Sequence, residues 1–301
     1  MTNFLLIFIC IISGMLIAKF GNLPKDSHKG INSWVLYIAL PAASLRYIPY
    51  INWNKEMLLP ALMPIVVWLG SYTAINIYRK ISKIDQLTYA TLILTCGLTN
   101  TSFLGFPLVS AYFGEDKISI AIICDQINFL LFSTLVLIVA VKASGRGDLD
   151  SKKILKKVLK FPPFIGFIIA LVIPNFIDLS SLNPLLDKLS GTISPLALFS
   201  IGLQLKLKDW TSELKNLSVG LSYKLLIGPA LVLVLANILN IKGDIANISI
   251  FEAAMPSLVS SYLLVDEYNL NSKLANLMIG LGIVVCFFTT YLWWNILSYY
   301  F

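Results

Sequence analysis

Ten apolar runs of helical length follow one another along the chain, separated by short polar loops, and this pattern limits the fold more than any other feature. They cover approximately residues 3–20, 31–48, 57–78, 87–112, 118–142, 162–178, 184–205, 216–239, 246–265 and 273–297. A helix needs about 20 apolar residues to cross a bilayer core of about 30 Å. The charged share of the chain is 13%, roughly half that of an ordinary soluble domain. The pattern predicts an all-α, multi-pass membrane protein. The run from Phe4 reads as the first span and not as a cleaved leader, because no Lys or Arg precedes it and no small-residue cleavage site follows it.

The net charge is +7, which on a soluble chain suggests nucleic acid. Loop placement gives it another origin. Seventeen Lys and Arg fall on the loops of one side and five on the other, with Lys224 inside a span. Positive residues mark the cytoplasmic side, so the sequence predicts a plasma-membrane protein with both termini extracytoplasmic and no call for nucleic acid. The longest loop divides the chain into a first five-helix unit, 1–143, a linker, 144–161, and a second five-helix unit, 162–301. Five is odd, so the second unit enters the membrane in the opposite sense, as in an inverted repeat. Within the linker, Lys152, Lys153, Lys156, Lys157 and Lys160 share one helical face, with Ile154, Leu155, Val158 and Leu159 on the other. An interfacial helix on the anionic inner leaflet explains this; a docking role is the alternative.

Two spans carry residues that a lipid-buried helix tolerates poorly. The stretch Thr95–Gly114 contains Gly97, Asn100, Gly105 and Pro107, and Phe251–Ser261 contains Pro256. In lipid every backbone group must be satisfied within the protein, so both helices should break. Interrupted helices in matching positions of two halves point to a transporter site.

Three ionisable residues, Asp125, Lys224 and Glu252, lie within spans, where charge is costly and by default functional. At ~1.5 Å rise per residue, Asp125 and Glu252 come roughly 12 Å below the outer surface and Asn100 about 10 Å, one common level. Lys224 comes about 14 Å from the inner face, a poor partner for Glu252 and able to snorkel. The functional reading places a cation at Glu252 with Asn100, Thr101, Ser102 and freed carbonyls around it, either sodium or a proton. The structural reading has the charges neutralise one another and Asn100 cap a broken helix. Gln126, Asn128, Ser200 and Gln204 are either cavity-lining or simple interhelical hydrogen-bonders. Cys10, Cys96, Cys124 and Cys286 lack metal-ligand spacing and read as small hydrophobes. His28 is the single histidine and sits in a loop, so no metal centre is expected. No nucleophile, zinc or phosphate-loop signature is present, and the expectation is a non-enzyme without a cofactor, sodium apart.

The residues Asn100-Thr101-Ser102-Phe103-Leu104-Gly105-Phe106-Pro107, then Phe113-Gly114, resemble the auxin efflux carrier family. So do Leu40-Pro41, Ser194-Pro195-Leu196-Ala197-Leu198, Gly202 and Ala253-Ala254-Met255-Pro256-Ser257. Ser102 stands where the family pattern suggests glycine. The resemblance implies ten helices in two inverted five-helix repeats, with helices four and nine broken and crossing at the site of an organic anion. It puts Asn100, Thr101, Ser102, Pro107, Met255, Pro256, Ser257 and Asn128 at the substrate, and Glu252, Asp125 and Asn100 at a coupling ion. The related fold of bile-acid/sodium symporters makes sodium at Glu252 and Asn100 a candidate. The expected function is secondary transport of a carboxylate such as malate or of an auxin-like weak acid. A sodium symporter and a membrane sensor without transport are the alternatives. Expected partners are the anion and the lipid bilayer, with a homodimer as a candidate assembly.

Overall fold

The computed structural model describes residues 2–24, 26–145, 152, 155–156, 159–205 and 210–300, and the chain there is helical. Lys153, Ile154, Lys157 and Val158 of the basic linker lie outside the described residues, as do Lys25, Arg146, Lys206 and Lys208 from the charge count. In chain order the first helices are α1 (Thr2–Phe20), α2 (Ser27–Trp34), α3 (Leu40–Tyr47), α4 (Leu58–Ser82) and α5 (Gln86–Gly97). There follow α6 (Phe106–Phe113), α7 (Ile118–Leu131), α8 (Leu137–Ser144), α9 (Pro162–Val172), α10 (Asn183–Ser190) and α11 (Ile193–Gln204). The last are α12 (Leu214–Ser222), α13 (Gly228–Ile238), α14 (Gly243–Ala253), α15 (Ser261–Glu267) and α16 (Ser272–Tyr300).

Proline decides where the helices change pitch. Wider π turns occupy Val35–Ala39, Thr101–Gly105, Phe132–Val136 and Tyr223–Ile227. Three of these four end two residues before a proline, namely Pro41, Pro107 and Pro229. Proline has no N–H for the carbonyl four residues back, and a turn closed five residues on absorbs the mismatch. At the last of them Gly228 N–H closes the wide turn on Tyr223 O. The Leu225 carbonyl that Pro229 cannot serve accepts the Trp293 indole N–H at 2.9 Å.

Among the described residues, five helices are long and apolar enough to cross a membrane: Thr2–Phe20, Lys55–Ser82, Glu115–Ser144, Thr211–Ile238 and Ser272–Tyr299. That is half the number of spans the sequence predicts. The other expected spans are shorter, less apolar or interrupted, among them Thr101–Phe113 and Pro162–Asn175, because glycine, proline and polar residues break them. On α1, Leu5, Phe8, Ile9, Ile12 and Leu16 are exposed, and Phe288 on α16 is 75% exposed. Faces of this extent suit lipid, not water.

The chain forms two compact units, each built from residues of both its first and second half. The first comprises Met1–Asn54, Ser102–Ile122 and Leu155–Leu205. In it α1 lies against α11 through Gly14 and Gly202, and a Cβ on either would strike the backbone of the other helix. Such small-residue contacts let helices associate where hydrophobicity gives no drive. Helix α3 packs on α9 and α10, and Arg46 Nε donates to Asp187 Oδ1 at 2.6 Å.

The second unit comprises Lys55–Thr101, Ile123–Ile154 and Lys206–Phe301. Helix α4 packs on α5, α13 and α14 over a core that includes Trp68, Leu92, Ile93 and Met278. Asp85 caps α5, its carboxylate accepting the N–H groups of Leu87 and Thr88 at 2.9 and 3.0 Å.

Candidate functional site

Helix α5 stops at Gly97 because the next residue, Leu98, is extended (φ −107°, ψ 137°). Gly97 itself lies against Trp68 and Ser71, with no room for a Cβ. Helix α14 stops at Ala253, three residues before Pro256. The two interruptions meet in the second unit. Asn100 N–H donates to Pro256 O at 2.9 Å, and Leu258 N–H donates to Leu98 O at 3.2 Å. Thr99 and Ser257 thereby form an antiparallel bridge, the one β-type pairing among the described residues. Backbone that has left the helix deep in the unit is satisfied by its counterpart, as a water-free setting demands.

Side chains complete the closure. Asn128 on α7 acts on Thr99 as a neighbouring strand does: its Oδ1 accepts Thr99 N–H at 3.1 Å and its Nδ2 donates to Thr99 O at 2.8 Å. Thr101 Oγ1 donates to Asp125 Oδ1 at 2.6 Å. Lys224, in the π turn between α12 and α13, donates from Nζ to Thr99 Oγ1 at 2.8 Å and to Ala253 O at 3.3 Å. Among the described residues, Asp125, Lys224 and Glu252 are the charged side chains that are buried, and all three belong to this unit.

Other polar atoms at the crossing lack such partners. Both side-chain atoms of Asn100, both carboxylate oxygens of Glu252 and Ser257 Oγ are buried without a hydrogen bond. Gln126 Oε1 is in the same condition. Buried polar groups are paired as a rule, so unpaired ones ask for a reason. A place that a ligand, an ion or water fills is one such reason.

The structure thus brings Asn100, Thr101, Asp125, Asn128, Pro256 and Ser257 together, with Glu252 and Met255 at the end of α14 and just beyond it. Ser102 and Pro107 belong to the first unit. Pro107 lines a cavity of about 150 Å³ there, with Asn3, Tyr47, Ser110, Glu115 and Asp187 among its walls. No residue of the crossing lines that cavity, so the unpaired atoms and not the cavity mark the candidate site. Asn100 does not cap the following turn, since its side chain makes no hydrogen bond. Ser200 and Gln204 bond to Asn32 and Ser200 within the first unit.

One reading from sequence needs correction. Lys224 does not snorkel: it is 0% exposed and turned into the crossing. The rise along a straight helix takes in neither the π turn nor the reach of four methylenes. The carbonyls of Leu98, Thr99, Ala253 and Pro256 each accept a donor of the chain. Nothing in the sequence singles out Thr99. Its hydroxyl is the acceptor for Lys224, and a threonine inside an apolar run gives no warning of that.

Comparison with known proteins agrees over nearly the whole chain. A sequence model of a family described as membrane transport protein matches residues 1–294. An uncharacterized transporter of Methanocaldococcus jannaschii is 31% identical over 285 residues, covering 90% of each chain. An uncharacterized transporter of Methanothermobacter thermautotrophicus is 24% identical over 292 residues, covering 95% of each. Auxin efflux carrier component 5 of Arabidopsis thaliana is 20% identical over 303 residues, with 87% of this chain and 86% of that one covered.

Proposed function

The chain belongs to the membrane transport protein family, which includes auxin efflux carriers, and from that premise we propose that it moves a small organic anion across the plasma membrane by alternating access. The anion is a carboxylate such as malate or an auxin-like weak acid. The reading extends to ten helices as two inverted five-helix repeats, 1–143 and 162–301, with both termini extracytoplasmic and no catalytic step. The observation that carries it is the crossing of two interrupted segments beside buried polar side chains, Asn100, Glu252 and Ser257, whose amide, carboxylate and hydroxyl atoms make no hydrogen bond. Transporters bind substrate at broken helices near the bilayer midplane. The half-helix that starts at Thr101 offers N–H groups and a partial positive charge to a carboxylate.

A sodium symporter is the second reading, favoured by the two unpartnered oxygens of Glu252 together with Asn100. Flux decides between transport and sensing. The purified protein in liposomes is expected to release labelled malate or indole acid saturably, faster than empty vesicles. Binding of the acids without flux would make the protein a sensor, and neither binding nor flux would remove these acids as substrates.

A further inference from the structure

The second unit buries two acids, and their surroundings differ. Asp125 Oδ1 accepts the Thr101 hydroxyl at 2.6 Å, whereas neither carboxylate oxygen of Glu252, which is 0% exposed, makes a hydrogen bond. We propose that Glu252 stands in the crossing as a neutral carboxylic acid beside an ionised Asp125, and that its O–H donates a hydrogen bond to the carboxylate of the bound anion.

Three observations carry this. First, an ionised carboxylate buried without donors costs far more than a neutral one, and such a group takes up a proton instead. Lys224, the buried ammonium of the unit, gives its N–H groups to Thr99 Oγ1 and Ala253 O, and none reaches a Glu252 oxygen. Second, the neighbouring charges divide the two acids. Asp125 on α7 and Lys224 in the π turn both act on Glu252, and Cys124 on α7 feels both acids. Helices α4, α13 and α16, which pack on α14, bring no further buried charge among the described residues. Two carboxylates within reach of one another do not readily both ionise, and the proton stays on the one without hydrogen bonds. With Asp125 ionised, Lys224 charged and Glu252 neutral, the charges of the crossing cancel. Third, Glu252 lies in the last turn of α14, one residue before its end at Ala253. The C-terminal end of a helix carries partial negative charge, which disfavours a carboxylate there and favours the acid. A neutral acid offers what a carboxylate cannot, an O–H donor. It adds to the Asn100 amide and the Ser257 hydroxyl, donors of the crossing that are likewise unused.

The inference rests on reading the crossing as the transport site, so its first readout needs no substrate. Infrared spectra of the purified full-length protein at neutral pH are expected to show the C=O stretch of an un-ionised carboxyl, lost in Glu252→Gln. If that variant does not fold, isotope labelling of the glutamate carboxyls shifts the band in the native chain, where Glu252 is the buried glutamate among the described residues. The second readout is malate affinity against pH. An ionised Glu252 repels the anion, so affinity should hold at neutral pH and fall about tenfold per pH unit once the band titrates away. Glu252→Gln keeps an N–H donor and the Lys224 charge. It is expected to bind malate severalfold more weakly at neutral pH and to lose the alkaline fall. Absence of the band at neutral pH overturns the proposal, and so does an alkaline fall that persists in the variant. A chain that shows the band and binds neither malate nor an indole acid sinks the transport reading for those acids and leaves Glu252 as the neutral acid.

Discussion

The two interruptions touch along one short antiparallel contact, yet they are closed differently. At Leu98–Asn100 the strand-like backbone is clamped by side chains from a neighbouring helix. Asn128 holds both polar groups of Thr99, and Asp125 takes the hydroxyl of Thr101. At residues 254–260 the chain relies mostly on its own turns, with Ala254 N–H on Ile250 O, Met255 N–H on Glu252 O and Ser261 N–H on Leu258 O. Glu252 and Ser257 there have side-chain oxygens with no hydrogen bond. The first interruption is braced, and the second keeps unused polar capacity. Asn100 belongs to both descriptions, its backbone engaged and its amide unpaired. Bracing on one side lets the other respond to a ligand without the pair coming apart.

The strongest way to break this contrast is to remove the brace. Asn128→Ala leaves the N–H and the C=O of Thr99 buried without partners, and each such loss costs about 1–3 kcal/mol. The variant is expected to show the largest fall in melting temperature of the substitutions considered for the crossing. A melting temperature unchanged in Asn128→Ala would mean that Thr99 finds other partners and that the first interruption is no more braced than the second.

That contrast was only partly legible in the amino-acid sequence. Gly97, Asn100 and Pro256 announce the interruptions, because a proline or a run of poor helix formers inside an apolar span has no other cheap explanation. Three of the four π turns are readable in principle from Pro41, Pro107 and Pro229, since the missing N–H falls at a fixed offset; the turn at Phe132–Val136 has no such proline. What pairs with what was not readable. Asn128 lies 29 residues from Thr99 in sequence and Lys224 lies 125 away, and no periodicity links them. Depth along a helix locates a Cα, whereas the chemistry of Lys224 sits at the end of a long side chain. Ser102 and Pro107, which the resemblance puts at the substrate, belong to the other compact unit.

A milder substitution tests whether the brace is local. Asp85 caps α5 at the far end of the helix that leads into the first interruption. Its partial burial raises the carboxyl pKa, but hydrogen bonds from Thr88 and Leu87 outweigh that and hold it below the usual carboxylate range. A lowered value means that the cap stabilises above the unfolded carboxyl pKa of about 3.9 and weakens as pH falls below it. Asp85→Ala is expected to cost about 1 kcal/mol, less than Asn128→Ala, and to flatten the acid limb of a melting profile. An effect as large as that of Asn128→Ala would show that the crossing depends on the whole of α5 and not on Asn128.

The smallest effect on stability is expected where the contrast predicts it, at Glu252. Neither of its carboxylate oxygens accepts a hydrogen bond, so Glu252→Gln removes no native bond and retains the shape. A charged side chain at the bilayer centre costs at least ~2.5 kcal/mol on insertion scales, so losing the charge should leave melting unchanged or raise it. The consequence should appear in binding instead. Such a carboxylate persists in the membrane only when protonated, paired or beside a cation, and each of these states changes with pH or with the ions around it. In the glutamine variant, any dependence of acid binding on pH or on monovalent cations should vanish, measured as affinity across a pH series and across exchanged salts. Binding that keeps both its affinity and its dependence would make Glu252 a structural partner of Lys224, and the unused capacity of the second interruption would then reside in Asn100 and Ser257.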